Sequence, residues 1–243
     1  MDNKDLKIFI CSHKKFKPAV KNEVYEPIIA KDINNDTWIN GLKGSFYSEI
    51  MSYFHVAENY ELPKYVGFCQ YRRYFKFKDD IPDMDEVLSQ YDAIVPEPKF
   101  FEVNLKTQYA NCHNIEDLYI VTGIIANKYP YYIDMWNRML GGNVIVPYNM
   151  FITRKDYFLD MISFVKGVLD EYVNIVGTDI EKRIKNNKDK YIKDFSPNDT
   201  VKYQYRIGGY LAERLVSMYI MANFDKPMFS EVDIVEEKYG TKV

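Results

Sequence analysis

A chain of 243 residues that is 47% hydrophobic and 28% charged has the apolar mass for one substantial core, and its make-up excludes a disordered, collagen-like or coiled-coil protein. Its net charge of -3 lacks the broad positive field of a nucleic-acid binder, so any anion site must be local. No stretch approaches the roughly 20 apolar residues of a membrane span, and the apolar run near the N-terminus is too short for a signal-peptide core, so the expectation is a single domain over 1–243, cytoplasmic and not integral to a membrane.

In chain order, "LKIFICSHK" predicts a buried first strand whose C-terminal end delivers His13 and Lys14 to the edge of an α/β sheet, where ligands bind. The Asn-, Asp- and Gly-rich segment "NEVYEPIIAKDINNDTWINGLKG" shows neither helical nor strand period and reads as a long loop. "SFYSEIMSYFHVAENY" places Phe46, Ile50, Met51, Phe54 and Ala57 at helical spacing, with Ser45 as the expected N-cap. "KYVGFCQY" is a second strand; "DMDEVLSQYDAIVPEP" gives a short helix and then a third strand, "AIVP".

Further on, "NIEDLYIVTGIIANKYPYYIDMWNRML" holds two helical pieces broken near Pro130, with Asn114 as cap. "NVIVPYNMFITRKDYFLDMISFVKGVLDEYVNIV" predicts a strand, a turn at Pro147, a second strand and a long amphipathic helix; a last helix begins around Gly208 and Gly209. Alternating strands and helices define an α/β class.

The chemistry is concentrated in "YVGFCQYRRYFKF". Arg72 and Arg73 directly follow a buried strand, where guanidinium groups are costly unless they reach the sheet edge or meet acceptors. A diphosphate is one such acceptor, since arginine forks match phosphate oxygens and stay charged at physiological pH; surface bridging to Asp or Glu is the other. The one DxD triplet, Asp83 to Asp85, opens the expected short helix and does not end a strand, and "KDD", Lys78 to Asp80, offers adjacent acids, so a hard-cation site is weakly supported. The Rossmann, P-loop, HExxH and GxSxG patterns are absent. Cys11, Cys69 and Cys112 lack CxxC spacing, which fits a reducing compartment and neither a disulfide framework nor zinc. Twenty-two tyrosines suit either sugar-facing surfaces or an aromatic core.

Five blocks in order, "YVGFCQYRRYF", "YDAIVPEPKFF", "NIEDLYIV", "PYNMFITRKDYF" and "GGYLAERL", resemble a bacterial family first catalogued as a domain of unknown function, found in capsular and cell-surface polysaccharide clusters and including galactofuranosyltransferases. Gln70 stands where members more often carry His. The resemblance implies a GT-A-like nucleotide-sugar-binding mixed sheet flanked by helices. The implied enzyme is a glycosyltransferase using a UDP-sugar, with galactofuranose as a candidate sugar, and a lipid-linked or oligosaccharide acceptor. His13, Tyr71, Arg72 and Arg73 are then the expected donor-binding set, the arginines neutralising the diphosphate with no metal cofactor required.

For the acceptor, Asn149 in its turn, His113 and Arg214 are the expected contacts, and Glu213 and Asp117 compete as catalytic base. Each has a plain structural alternative: a turn residue for Asn149, helix capping for the "CHNIEDL" cluster with Glu116, and a buried ion pair for Glu213 and Arg214. The basic stretch from Lys182 to Lys193 could contact an anionic membrane surface or simply be a solvated face. The competing functional class is a non-catalytic carbohydrate- or nucleotide-binding module; nucleic acid is not an expected partner.

Overall fold

The computed structural model describes residues 5–20, 22–33, 42, 44–191, 193 and 201–235. Its strands are β1 (Leu6–Ser12), β2 (Tyr25–Ile29), β3 (Tyr65–Gln70), β4 (Arg73–Phe75), β5 (Ala93–Pro96), β6 (Lys99–Phe100), β7 (Val144–Ile145), β8 (Phe151–Arg154), β9 (Pro227–Ser230) and β10 (Val232–Ile234). The helices are α1 (Ile50–Asn59), α2 (Met84–Gln90), α3 (Leu105–Cys112), α4 (Ile115–Lys128), α5 (Ile133–Gly141), α6 (Lys155–Val176), α7 (Ile180–Asn186), α8 (Lys188–Tyr191), α9 (Val201–Gln204) and α10 (Ile207–Asn223).

The central sheet is mixed. β1 lies parallel to β2 on one side and to β3 on the other. β3 runs antiparallel to β8, β8 antiparallel to β5, and β5 parallel to β9. At its C-terminal end β3 turns back into β4 through the pair Gln70↔Arg73, and β4 is joined by β10. β6 and β7 form a separate ribbon.

Side chains along a strand alternate between faces, and here the alternation sorts them into two cores. Phe9, Cys11, Val66, Phe68, Ala93, Val95 and Phe151 pack with residues of α1, α4, α6 and α10. Leu6, Ile8, Ile10, Tyr65, Cys69, Ile94 and Ile152 pack on the opposite face with Met84 and Leu88 of α2. Gly67 sits on that second face, where an added Cβ would come within 2.7 Å of Ile152 Cγ1 and 3.1 Å of Ile8 Cγ1. A side chain there would push β1 and β8 away from β3. The long α6 buries Phe158, Met161, Ile162, Val165, Val168, Leu169, Tyr172 and Val173, a stripe at three- and four-residue spacing. Among the described residues no helix is long and apolar enough to cross a membrane.

The two helical pieces around Pro130 form as α4 and α5, and Asn114 caps α4 by accepting from the Glu116 N–H. Three expectations need correction. The expected loop after Pro18 contains β2; its Pro27 sits opposite Ile10, and among the described residues β2 pairs only with β1, so the missing N–H is tolerated on an edge strand. Ser45 does not cap α1: it lies in a 3-10 turn, Gly44–Phe46, and α1 starts at Ile50. The expected last helix forms as α10, but β9 and β10, which were not expected, follow it. Many tyrosines belong to the interior, Tyr47, Tyr53, Tyr74, Tyr109, Tyr172, Tyr191 and Tyr219 being fully buried.

Candidate functional site

Parallel β1 and β3 end together, with Cys11 paired to Gln70, so the residues that follow them emerge at one edge of the sheet. The Tyr71 N–H donates to the Cys11 carbonyl (3.1 Å) and holds the two strand ends in register. Around the Tyr71 ring gather His13, edge-on at 5.4 Å, Phe16 at 5.7 Å, Lys14 Nζ at 5.9 Å and the Arg72 guanidinium at 5.0 Å. Arg72 is exposed. The structure thus brings His13, Tyr71 and Arg72 together into one aromatic, cationic face.

Arg73 takes a different direction. Its Nη1 donates to Gln70 Oε1 (2.6 Å), its guanidinium lies 4.5 Å from the Tyr148 ring centroid, and its Nε is buried without a hydrogen-bond partner. Among the described residues neither arginine makes an ion pair with Asp or Glu, so the bridging expected of ordinary surface arginines is not made. An unsatisfied buried guanidinium N–H is rare, and among the described residues Arg214 Nε shares the feature.

Gln70 is the joint between this arm and a second one. Its Nε2 donates to the Tyr148 carbonyl (3.0 Å) and toward Glu49 Oε1 (3.4 Å). The same Glu49 oxygen accepts from Asn149 Nδ2 (3.1 Å), while Asn149 Oδ1 is buried without a partner. Glu213 Oε1 accepts the Tyr148 N–H (3.1 Å), and the Tyr53 hydroxyl donates to the Asn149 carbonyl (2.8 Å). Tyr148 and Asn149 both have left-handed backbone, φ 72° and 57°, as does Ser48 at 54°. These are all the positive-φ non-glycine residues among those described, and each conformation costs about 1–3 kcal/mol, a cost that persists where surroundings enforce it and that clusters at functional sites.

The glycine pair explains how Ser48 and Glu49 reach this place. A Cβ on Gly208 would lie 2.6 Å from the Phe46 ring and 2.9 Å from its carbonyl oxygen, and one on Gly209 would lie 2.6 Å from Ser48 Oγ. Bare backbone at the start of α10 lets the 46–48 segment settle directly on it. Arg206 Nε then donates to Ser48 Oγ (2.8 Å).

The other candidates sit elsewhere. Arg214 is buried against the Tyr109 ring; Nη1 donates to the Tyr210 carbonyl (2.9 Å) and Nη2 to Gln108 Oε1 (2.6 Å), with Glu213 Oε2 at 3.5 Å. His113 is buried too, its ring stacked 4.0 Å from that of Tyr210 and its Nδ1 3.0 Å from Gln204 Oε1. Burial pushes its pKa down to about 3, leaving a neutral imidazole. Both residues therefore form a wall behind Tyr210 and are not open to an acceptor.

Asp117 is wholly buried, and its Oδ1 accepts from the Tyr172 hydroxyl (2.7 Å), Arg183 Nη2 (3.0 Å) and the Tyr191 hydroxyl (3.2 Å). That cage gives it a structural place apart from Glu213. Glu116 pairs with Lys190, and Asn114 caps: the capping alternative describes this cluster.

In the basic stretch, Arg183 pairs with Asp117, Lys185 with Glu181 and Lys190 with Glu116. In "KDD", Lys78 pairs with Asp79 and with Asp233 of β10. Among the described residues no group of three or more His, Cys, Asp or Glu is placed to hold a metal ion.

Sequence reasoning missed Glu49, Tyr148, Ser48 and Arg206, and left Gln70 without a role. The chain signals available for them were the turn "PYN" and the glycine pair; an acid ahead of a helix otherwise reads as a cap.

The mixed α/β sheet flanked by helices is a fold shared with a known glycosyltransferase structure. The apo structure of the WbbM bifunctional glycosyltransferase matches with a TM-score of 0.67 at 19% identity, over 98% of this chain and 47% of that one. This chain therefore spans about half the length of that protein, and the likeness is one of fold. The chain belongs to the family described as a domain of unknown function, DUF4422, whose profile matches residues 7–224. A comparison with curated proteins gives no match.

Proposed function

We propose that this protein is a glycosyltransferase of the GT-A kind that moves a sugar from a UDP-sugar to a growing surface polysaccharide or lipid-linked acceptor in the cytoplasm. The observation that carries the reading is Arg73, tied to Gln70 at the end of β3 with a buried, unpartnered Nε, beside the exposed Arg72. Two guanidinium groups at a strand end can take the charge that builds on a departing diphosphate. No metal is then required: the one DxD triplet, Asp83 to Asp85, is engaged at the start of α2, where Asp83 caps the helix and Asp85 pairs with Lys64. Tyr71 and His13 offer rings against which the nucleotide or sugar can lie. The Tyr148–Asn149 turn, with Glu49 and Glu213 on either side, forms the acceptor side. Galactofuranose is the sugar that the family resemblance suggests.

The test is to incubate the purified full chain with a panel of UDP-sugars that includes UDP-galactofuranose, and with a lipid-linked oligosaccharide acceptor. The expected result is sugar transfer with release of UDP. Binding of a UDP-sugar with neither hydrolysis nor transfer would instead make the protein a binding module. Failure to bind any nucleotide sugar would overturn the reading.

A further inference from the structure

Glu49 occupies the N-cap position of α1, yet its side chain makes no capping hydrogen bond. The preceding Ser48 is held in left-handed backbone by the contact with Gly209 and by Arg206, and the Glu49 carboxylate is directed instead to Asn149 and Gln70. The carboxylate thus meets two amides from distant parts of the chain, next to a neighbour in left-handed backbone.

We propose that Glu49 is the catalytic base, an inference that rests on the glycosyl-transfer reading above. Its carboxylate takes the proton of the acceptor hydroxyl as that oxygen bonds to the anomeric carbon of the sugar. The bond from that carbon to the diphosphate oxygen breaks, its electron pair leaves with the diphosphate, and the arginines receive the charge. Glu49 returns the proton to solvent after the product departs.

Three features support this. Gln70 links Glu49 to Arg73 through one amide, 3.4 Å to the carboxylate and 2.6 Å to the guanidinium. The base thus stands one side chain away from the group that would hold the diphosphate. Both amides converge on Oε1, which leaves Oε2 to meet the acceptor hydroxyl. Glu213, by contrast, spends Oε1 on the Tyr148 N–H and has Oε2 near Arg214, so it serves as a positioning residue for the turn.

The surroundings favour proton uptake. Burial above all, and the like charge of Glu213, raise the pKa of Glu49 against the lowering pull of its own backbone N–H, Arg206 and Asn149. The other titratable groups facing it are Tyr210 of α10, Tyr53 of α1 and Cys11 of β1, all with pKa values raised by burial and therefore neutral. A base with a raised pKa is better matched to work near neutral pH.

The experiment compares Glu49→Gln, Glu49→Asp and Glu213→Gln with the wild type, measuring transfer as a function of pH and UDP affinity by calorimetry. Glu49→Gln keeps the amide contacts and is expected to lower kcat by about 100-fold or more, leave UDP affinity within about twofold, and abolish the acid limb of the kcat/KM profile. Glu49→Asp should retain the limb at reduced rate, which keeps the proposal open to test if Glu49→Gln does not fold. Transfer by either Glu49 variant at the wild-type rate, or loss of the acid limb in Glu213→Gln alone, would overturn the assignment. Equal losses of UDP affinity and rate in Glu49→Gln would reduce Glu49 to a structural role and also overturn it. Absence of transfer by the wild type is the separate failure of the glycosyl-transfer reading, and this proposal falls with it.

Discussion

Replacing Asp117 by alanine should destabilise the protein by about 3 kcal/mol, the lower end of the range for breaking a buried ion pair. The lower end applies because Asp117 is sealed while the Arg183 side chain keeps 23% of its exposure, so the abandoned guanidinium can recover some hydration. The Tyr172 and Tyr191 hydroxyls lose their shared acceptor at the same time, which adds unsatisfied buried donors. The loss would be felt where α4, α6, α7 and α8 meet, away from the strand ends. Urea unfolding checks the magnitude. Asp117→Asn separates structure from catalysis: it should be less stable but bind UDP and transfer sugar at temperatures where it is folded. A stable Asp117→Asn that no longer transfers sugar would return this carboxylate to the catalytic machinery.

Arg73→Ala should weaken UDP binding by about 10- to 150-fold, the equivalent of the roughly 1.5–3 kcal/mol that a charge-assisted hydrogen bond contributes. Arg72→Ala should cost only a few-fold, since an exposed guanidinium is screened by solvent. The asymmetry follows from the geometry. Arg73 is held by Gln70 and the Tyr148 ring before any ligand arrives, so little side-chain entropy remains to be lost on binding. Calorimetric titration of both variants, alongside thermal melts to confirm folding, measures the effect. Equal and unchanged affinities would remove the diphosphate role from both.

What could be read from the chain, and what could not, follows from the range of each interaction. The strands ending at Ser12 and Gln70, the Asn114 cap, the break at Pro130 and the last helix beginning around Gly208 and Gly209 are local patterns, and each appears in the fold. The placement of Arg72 and Arg73 at a sheet edge was legible for the same reason. β2 and β9 were not, because each carries a proline that argues against a strand until its place is known: Pro27 on an edge strand, Pro227 at a strand's first residue.

Glu49 was illegible because its meaning depends on Asn149, one hundred positions along the chain, and on Glu213. Asp117 and His113 misled in the opposite direction. An acid and an imidazole near a helix start look reactive in sequence, whereas the fold encloses one among tyrosines and an arginine and stacks the other on Tyr210. Gln70, notable in sequence only as a departure from the usual histidine, ties the arginine to the carboxylate.

The central claim is that arginine, rather than a metal, holds the diphosphate, and the most direct measurement is a calorimetric titration of the full chain with UDP in EDTA, repeated with manganese. The account predicts saturable binding of the same affinity in both, reduced in Arg73→Ala. Binding that vanishes in EDTA and returns with manganese would contradict it.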